Sequence, residues 1–179
     1  SMIYFNCDYL GGGHPKILEK MLSTNMEQLT GYSTDHYCDS ARERIRQACG
    51  CPDADVHFLV GGTQTNLTAI ASILRPYQGV LAAHDGHIAC HETGAIEATG
   101  HKVLPIPCVD GKITADQVRE FCHSHQTNTM REHMVQPGMV YISFPTEIGS
   151  LYTKKELQEL SAACHENGIP LYIDGARMG

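Results

Sequence analysis

The sequence predicts an α/β fold built on a mostly parallel, doubly wound sheet. Three observations lead there. Short apolar runs with strand-forming residues recur along the chain, they lack the polar alternation of a sheet wetted on one face, and helix-like stretches separate them. Strands covered on both faces and alternating with helices pair in parallel.

The elements follow in order. Residues from Asn6 to His14 read as an irregular arm, and helices are expected over 15–25 and 38–49. The first expected strand is 56–60, Val-His-Phe-Leu-Val, after which Gly61-Gly62-Thr63-Gln64-Thr65-Asn66 opens a helix over 64–74. Strands at 80–83 and 102–106 flank a helix at 92–99, which ends at Gly100. A threonine cap opens a helix over 114–123, and 139–144 forms the next strand. The last helix, 153–167, begins with the capping box Thr153-Lys154-Lys155-Glu156, shows Leu157, Leu160 and Cys164 on one face and stops at Asn167-Gly168. The final strand, 170–174, ends in Asp174.

At 179 residues and 42% hydrophobic content the chain can bury a core. No run approaches the roughly 20 apolar residues of a membrane helix, and the first residues carry no basic flank or cleavage site, so a soluble cytoplasmic protein is expected. The net charge of -7 comes without a basic block, which argues against nucleic acid as a partner. Eight cysteines without a secretory context read as reduced thiols. Cys49-Gly50-Cys51 lacks the second pair of a zinc ribbon, and Cys90, Cys122 and Cys164 read as apolar filler.

Three motifs carry chemistry. The turn at Gly61-Gly62 points backbone N–H groups and a positive helix end outward, where Thr63 can add a hydroxyl. It is neither a P-loop nor a dinucleotide fingerprint, and alone it reads equally as a tight turn that binds nothing. Asp174-Gly175-Ala176-Arg177 stands at the carboxyl end of a strand, where open α/β sheets bind ligands; aspartate suits a protonated ring nitrogen and arginine a carboxylate, or the two end the strand as a surface ion pair. His87, after the second expected strand, can stack on a flat cofactor or exchange protons near neutral pH. His87, His91 and Glu92 are not in the His-Glu-x-x-His order of zinc proteases, and no metal site is expected; His91 reads as a helix-face residue.

Taken in order, these pieces resemble the threonine aldolase and β-eliminating lyase family of pyridoxal-phosphate enzymes, which has the aspartate-aminotransferase-like fold called fold type I. The resemblance rests on Phe5-Asn6-Cys7-Asp8, Gly13-His14-Pro15, Gly31-Tyr32-Ser33-Thr34-Asp35, Gly62-Thr63-Gln64-Thr65-Asn66, His87 with Glu92-Thr93-Gly94-Ala95, Pro145-Thr146-Glu147-Ile148-Gly149 and Asp174-Gly175-Ala176-Arg177. It implies that Gly62, Thr63 and Gln64 hold the phosphate of pyridoxal 5'-phosphate, that His87 stacks on its ring and that Asp174 pairs with the ring nitrogen. Arg177 would grip the substrate carboxylate, with Cys7 close to it. His133 would reach a neighbouring subunit's site, where it or His87 helps deprotonate the substrate hydroxyl. The family commonly has serine where Cys7 stands and glycine where Ser33 stands.

The implied reaction is cleavage of threonine or a related β-hydroxy amino acid to glycine and an aldehyde. β-Elimination or transamination on the same scaffold, or a non-catalytic fragment, is the alternative. Residues 1–50 would form an amino-terminal arm with helices and 51–179 part of the cofactor-binding large domain. The family's Schiff-base lysine and the remaining strands would lie further along than Gly179, and none of the six lysines has the expected Ser-Lys-Gly context. By itself the chain is therefore expected to be inactive and to work as a homodimer or homotetramer, or with a second polypeptide. In that fold the 56–60 strand is not a neighbour of the strand ending at Asp174.

Overall fold

A computed structural model describes residues 2–4, 6–7 and 9–178. Phe5 and Asp8 of the early motif, together with Ser1 and Gly179, lie outside the described residues. The chain divides into two compact units, 1–58 and 59–179.

The first unit holds two helices. Helix α1, Pro15–Thr24, begins with a proline in its first turn, and the His14 ring accepts a hydrogen bond from the Lys16 N–H at 3.2 Å. Helix α2, His36–Cys49, is capped by Asp35, whose carboxylate accepts from the Tyr37 and Cys38 N–H groups, and it stops where Gly50 turns left-handed at φ 63°. Arg42 and Arg46 fold the following segment back along α2 by donating to the carbonyls of Val56 at 3.2 Å and Ala54 at 2.8 Å.

The second unit is the sheet. In chain order it contains α3 (Gly62–Ile73), β1 (Gln78–Ala83), α4 (His87–Cys90), α5 (Ala95–Ala98), β2 (Val103–Ile106), α6 (Ala115–Thr127), a 3-10 turn at Arg131–His133, β3 (Gln136–Ser143), α7 (Lys154–Glu166) and β4 (Leu171–Asp174). The strand order is β2-β1-β3-β4 and every pairing is parallel. Successive strand residues face opposite ways, and each face is covered. Leu81, Ala83, Leu104, Ile106, Val140 and Ile142 pack under α6 and α7, against Val118, Cys122, Leu160 and Cys164. Val80, Ala82, Val103, Met139 and Tyr141 pack on the other side against Ile70, Leu74, Ile88 and Ile96. The uninterrupted apolar runs in the sequence are the trace of this double coverage. Threonine capping boxes start both α6 and α7.

Two expectations need correction. Residues 56–60 form no strand: among the described residues the sheet ends at β2 and β4, so this run has no neighbouring strand to pair with. The Val60 N–H instead donates to the Gln64 side chain at 3.1 Å, and Val60 is 96% exposed. Among the described residues the 56–60 run does not pair with β4, whose strand partner is β3. The helix expected over 92–99 is broken, because Thr93 and Gly94 take left-handed conformations at φ 52° and 77° between two short helices. That break drops Glu92 inward, where it is buried. Among the described residues no helix is long and apolar enough to cross a membrane.

Candidate active site

Strand order reverses between β1 and β3, and at such a switch the loops leaving the carboxyl ends diverge and open a crevice. Here the crevice is a small pocket lined by Gly62, Asn66, His87, Glu92, Ser143, Pro145, Glu147, Asp174, Ala176 and Arg177. Gly62 comes from the start of α3, His87 from the start of α4 after β1, Ser143 from the end of β3 and Asp174 from the end of β4. Four sequence-predicted residues, Gly62, His87, Asp174 and Arg177, therefore share one cavity.

The α3 amino terminus is open. Gly61 provides no side-chain cap, and a Cβ added at Gly61 or Gly62 would meet nothing within 4 Å. Gly61, Gly62, Thr63 and Gln64 are all exposed. The first N–H groups of a helix have no intrahelical acceptor, so this turn presents unshared donors and the positive end of the helix dipole to an anion.

A buried hydrogen-bond network sits beneath. The Asn66 amide nitrogen donates to Glu92 Oε1 at 2.7 Å and to Asp174 Oδ2 at 3.0 Å, while its oxygen accepts from the Tyr172 hydroxyl at 2.8 Å. Tyr141 also donates to Asp174 Oδ2, at 2.7 Å, and its ring stacks on Tyr172 with centroids 5.7 Å apart. Burial pushes the Tyr141 hydroxyl far above its ordinary range and Tyr172 up to about 12, so both stay protonated and act as donors. Asp174 Oδ1 accepts from the Ala176 N–H at 3.2 Å. Together these bonds aim the carboxylate from below and beside.

His87 Nδ1 lies 2.8 Å from Glu92 Oε1. The Glu92 side chain has no exposed surface whereas that of His87 is one-third exposed, so the ring spans from the buried acid to the pocket. With Nδ1–H donated to the carboxylate, Nε2 carries the lone pair, which is the arrangement of a base held by a buried acid. Glu92 Oε2 is buried without a hydrogen-bond partner. Asn66, Glu92, Tyr141 and Tyr172 were not among the site residues predicted from sequence. Asn66 did leave a signal: it stands four residues before Ile70 and eight before Leu74, on a buried stripe where a polar side chain must have partners.

Three predicted residues of the sheet unit do not line this pocket: Thr63 and Gln64, which follow Gly62 in the first turn of α3 and are exposed, and His133. His133 ends the 3-10 turn before β3, at the amino edge of the sheet, whereas the pocket lies at the carboxyl edge. The eight residues of β3 put about 25 Å between those edges. Cys7 belongs to the first unit and is half-buried there.

The residues present fit pyridoxal phosphate. The open α3 terminus suits its phosphate, Asp174 with a lone pair on Oδ1 suits a protonated ring nitrogen, and two neighbouring carboxylates, Asp174 and Glu92, favour a cation between them.

Comparison with known proteins agrees. The chain is 31% identical to a low-specificity L-threonine aldolase of Pseudomonas sp. over 175 residues, covering 97% of this chain and 49% of that protein. It superposes on the structure of Leishmania major threonine aldolase with a TM-score of 0.89 and 50% identity, covering 95% of this chain and 48% of the other. The pyridoxal-phosphate-bound C–S lyase of Staphylococcus hominis shares the fold, at a TM-score of 0.59 and 14% identity over 88% of this chain and 39% of the other. The chain thus spans about half the length of the two threonine aldolases. The beta-eliminating lyase family model matches residues 5–179, and with the fold and pocket in agreement the chain belongs to that family of lyases, on the fold type I scaffold.

Proposed function

We propose that this chain provides the cofactor-binding half of a pyridoxal-phosphate-dependent aldolase that cleaves threonine or a related β-hydroxy amino acid to glycine and an aldehyde. The observation that carries this reading is the meeting of Gly62, His87, Asp174 and Arg177, from four separate segments, in one pocket at the carboxyl edge of the sheet. The backbone of Gly62, Thr63 and Gln64 would hold the phosphate. Asp174 would keep a proton on the ring nitrogen, with Tyr141 and Asn66 fixing its direction. Arg177 would bind the substrate carboxylate, and Cys7 is assigned to the same end of the substrate. When bound, the cofactor supplies the electron sink for the pair released as the Cα–Cβ bond breaks. His87 would lie against the ring, and its Nε2 would take the proton of the substrate β-hydroxyl, with Glu92 stabilising the charge on the imidazole.

None of Lys102, Lys112, Lys154 or Lys155 lines the pocket. Turnover would need a Schiff-base lysine from outside this sheet unit. His133, away from this pocket, would act in a neighbouring copy's site if the enzyme is a homo-oligomer.

The test has two arms. Pyridoxal phosphate binding to the chain, followed by absorbance and equilibrium dialysis, should weaken at least about tenfold in Asp174→Asn, since an amide does not stabilise a protonated pyridine; unchanged binding would overturn the assignment. The complete enzyme, given L-threonine or L-allo-threonine, should release acetaldehyde and glycine. Keto-acid formation in place of acetaldehyde would overturn the aldolase reading in favour of elimination or transamination.

A further inference from the structure

Away from the pocket, three side chains with metal-ligand chemistry meet at the carboxyl ends of β1 and β2. His84 and Asp85 directly follow Ala83, the last residue of β1, and Cys108 stands just beyond Ile106, the last residue of β2. The two strands are parallel neighbours with Ala83 opposite Ile106, and the His84 N–H donates to the Ile106 carbonyl at 2.9 Å, so the ladder continues into the loop. The Gly86 N–H then closes a turn onto the Ala83 carbonyl at 2.9 Å. The backbone on the His84 side is thus set by main-chain bonds before any side chain acts.

Cys108 Sγ lies 3.4 Å from His84 Nδ1 and 3.1 Å from Asp85 Oδ1, and the three donor atoms all fall within 4.8 Å of one another. A tetrahedral zinc ion with ordinary bond lengths to sulfur, nitrogen and oxygen separates its donors by about 3.3–3.6 Å. Shifts of a few tenths of an ångström would bring the sulfur contacts to that spacing. One thiol, one imidazole and one carboxylate form a borderline-soft set that suits zinc or cobalt rather than calcium or magnesium, which prefer oxygen alone. His84 is exposed, so the fourth position opens to water.

We propose that His84, Asp85 and Cys108 form a divalent transition-metal site of the zinc class, with one solvent ligand, separate from the pocket beside His87. On binding, the Cys108 thiol gives its proton to solvent and its sulfur takes the ion. The ion then ties the loop that leads into α4, and hence to His87, to the loop after β2. No electron transfer is involved, and the role is structural.

The experiment is a titration of the purified chain with Co²⁺ alone, followed by displacement with Zn²⁺. The expected result is a thiolate-to-cobalt charge-transfer band with tetrahedral visible absorption, saturating at about one ion per chain and lost on adding zinc. Affinity should fall at least about tenfold in Cys108→Ser and in His84→Ala, as for loss of one protein ligand, and should be unchanged in Cys49→Ser/Cys51→Ser. Because His84 is exposed, its variant tests the site without disturbing packing. The proposal is overturned by absence of the band, by a band that persists in both ligand variants, or by one that disappears with Cys49 and Cys51, which would mark adventitious binding at those exposed thiols.

Discussion

Replacing Asn66 by alanine tests whether the network under the pocket holds the sheet unit together. The side chain is 2% exposed and makes three hydrogen bonds, two of them to carboxylate oxygens. Bonds to charged groups contribute roughly 1.5–3 kcal/mol each and a neutral one about 1 kcal/mol, with more lost when a buried partner is left unsatisfied. Water can replace the bond to Asp174, which is partly exposed, more readily than that to Glu92, whose side chain has no exposed surface and whose second oxygen already lacks a partner. We expect Asn66→Ala to cost about 3–4 kcal/mol. The assay is urea unfolding followed by far-ultraviolet circular dichroism, since the chain has no tryptophan, with Thr68→Ala on the exposed face of the same helix changing stability by less than about 0.5 kcal/mol. Asn66→Asp should be worse still at neutral pH, because a third carboxylate joins Glu92 and Asp174, and should partly recover as pH falls and the added acid takes up a proton. A loss below about 1 kcal/mol for Asn66→Ala, or no recovery of Asn66→Asp on acidification, would refute the argument.

Two further outcomes are expected. Glu156 is held down to about 2, first by the Lys112 ammonium and then by the amide of its capping box, so its contribution is present above its ordinary value near 4.5 and is lost as pH falls toward 2; Glu156→Gln should flatten the stability profile in that window and leave it unchanged between pH 6 and 8. Ser33 sits left-handed at φ 60°, where an L-residue pays roughly 1–2 kcal/mol and glycine pays none but loses about 0.5–1 kcal/mol more entropy on folding. Ser33→Gly should therefore stabilise the first unit by about 0.5–1 kcal/mol, read as a higher thermal midpoint, with its carbonyl still accepting from Arg42.

Much of the sheet was legible because the physics behind it is local. Double burial turns β1 and β3 into continuous apolar runs, and capping boxes announce α6 and α7. The meeting of His87, Asp174 and the Gly62 turn was legible by a rule of topology rather than of residues, since parallel strands deliver their following loops to one edge. What stayed hidden depends on partners that only folding supplies. Asn66 finds Tyr172 106 residues away and Asp174 108 away, and His84 finds Cys108 24 away, separations that follow no spacing pattern. Residues 56–60 have a strand's composition, yet a strand exists only when a neighbour accepts its hydrogen bonds. The expected helix at 92–99 failed for a backbone reason, the left-handed pair at Thr93 and Gly94, and that failure buries Glu92 beside His87.

Among the described residues the strand that ends in Asp174 is one of the two edges of the sheet and pairs with a neighbour on one side. Its amides on that side should exchange with solvent slowly and those on the open side quickly, a comb-like pattern along 171–174. Motion of such a strand is a hinge about β3, and it would carry the aspartate with it. What resists the hinge at its far end is the clasp of Tyr141 and Asn66 on a single carboxylate oxygen. The aim of the site is thus kept by side chains where the backbone gives only half its usual hold, and any strand or surface that docks along the open side would steady that aim without touching the pocket.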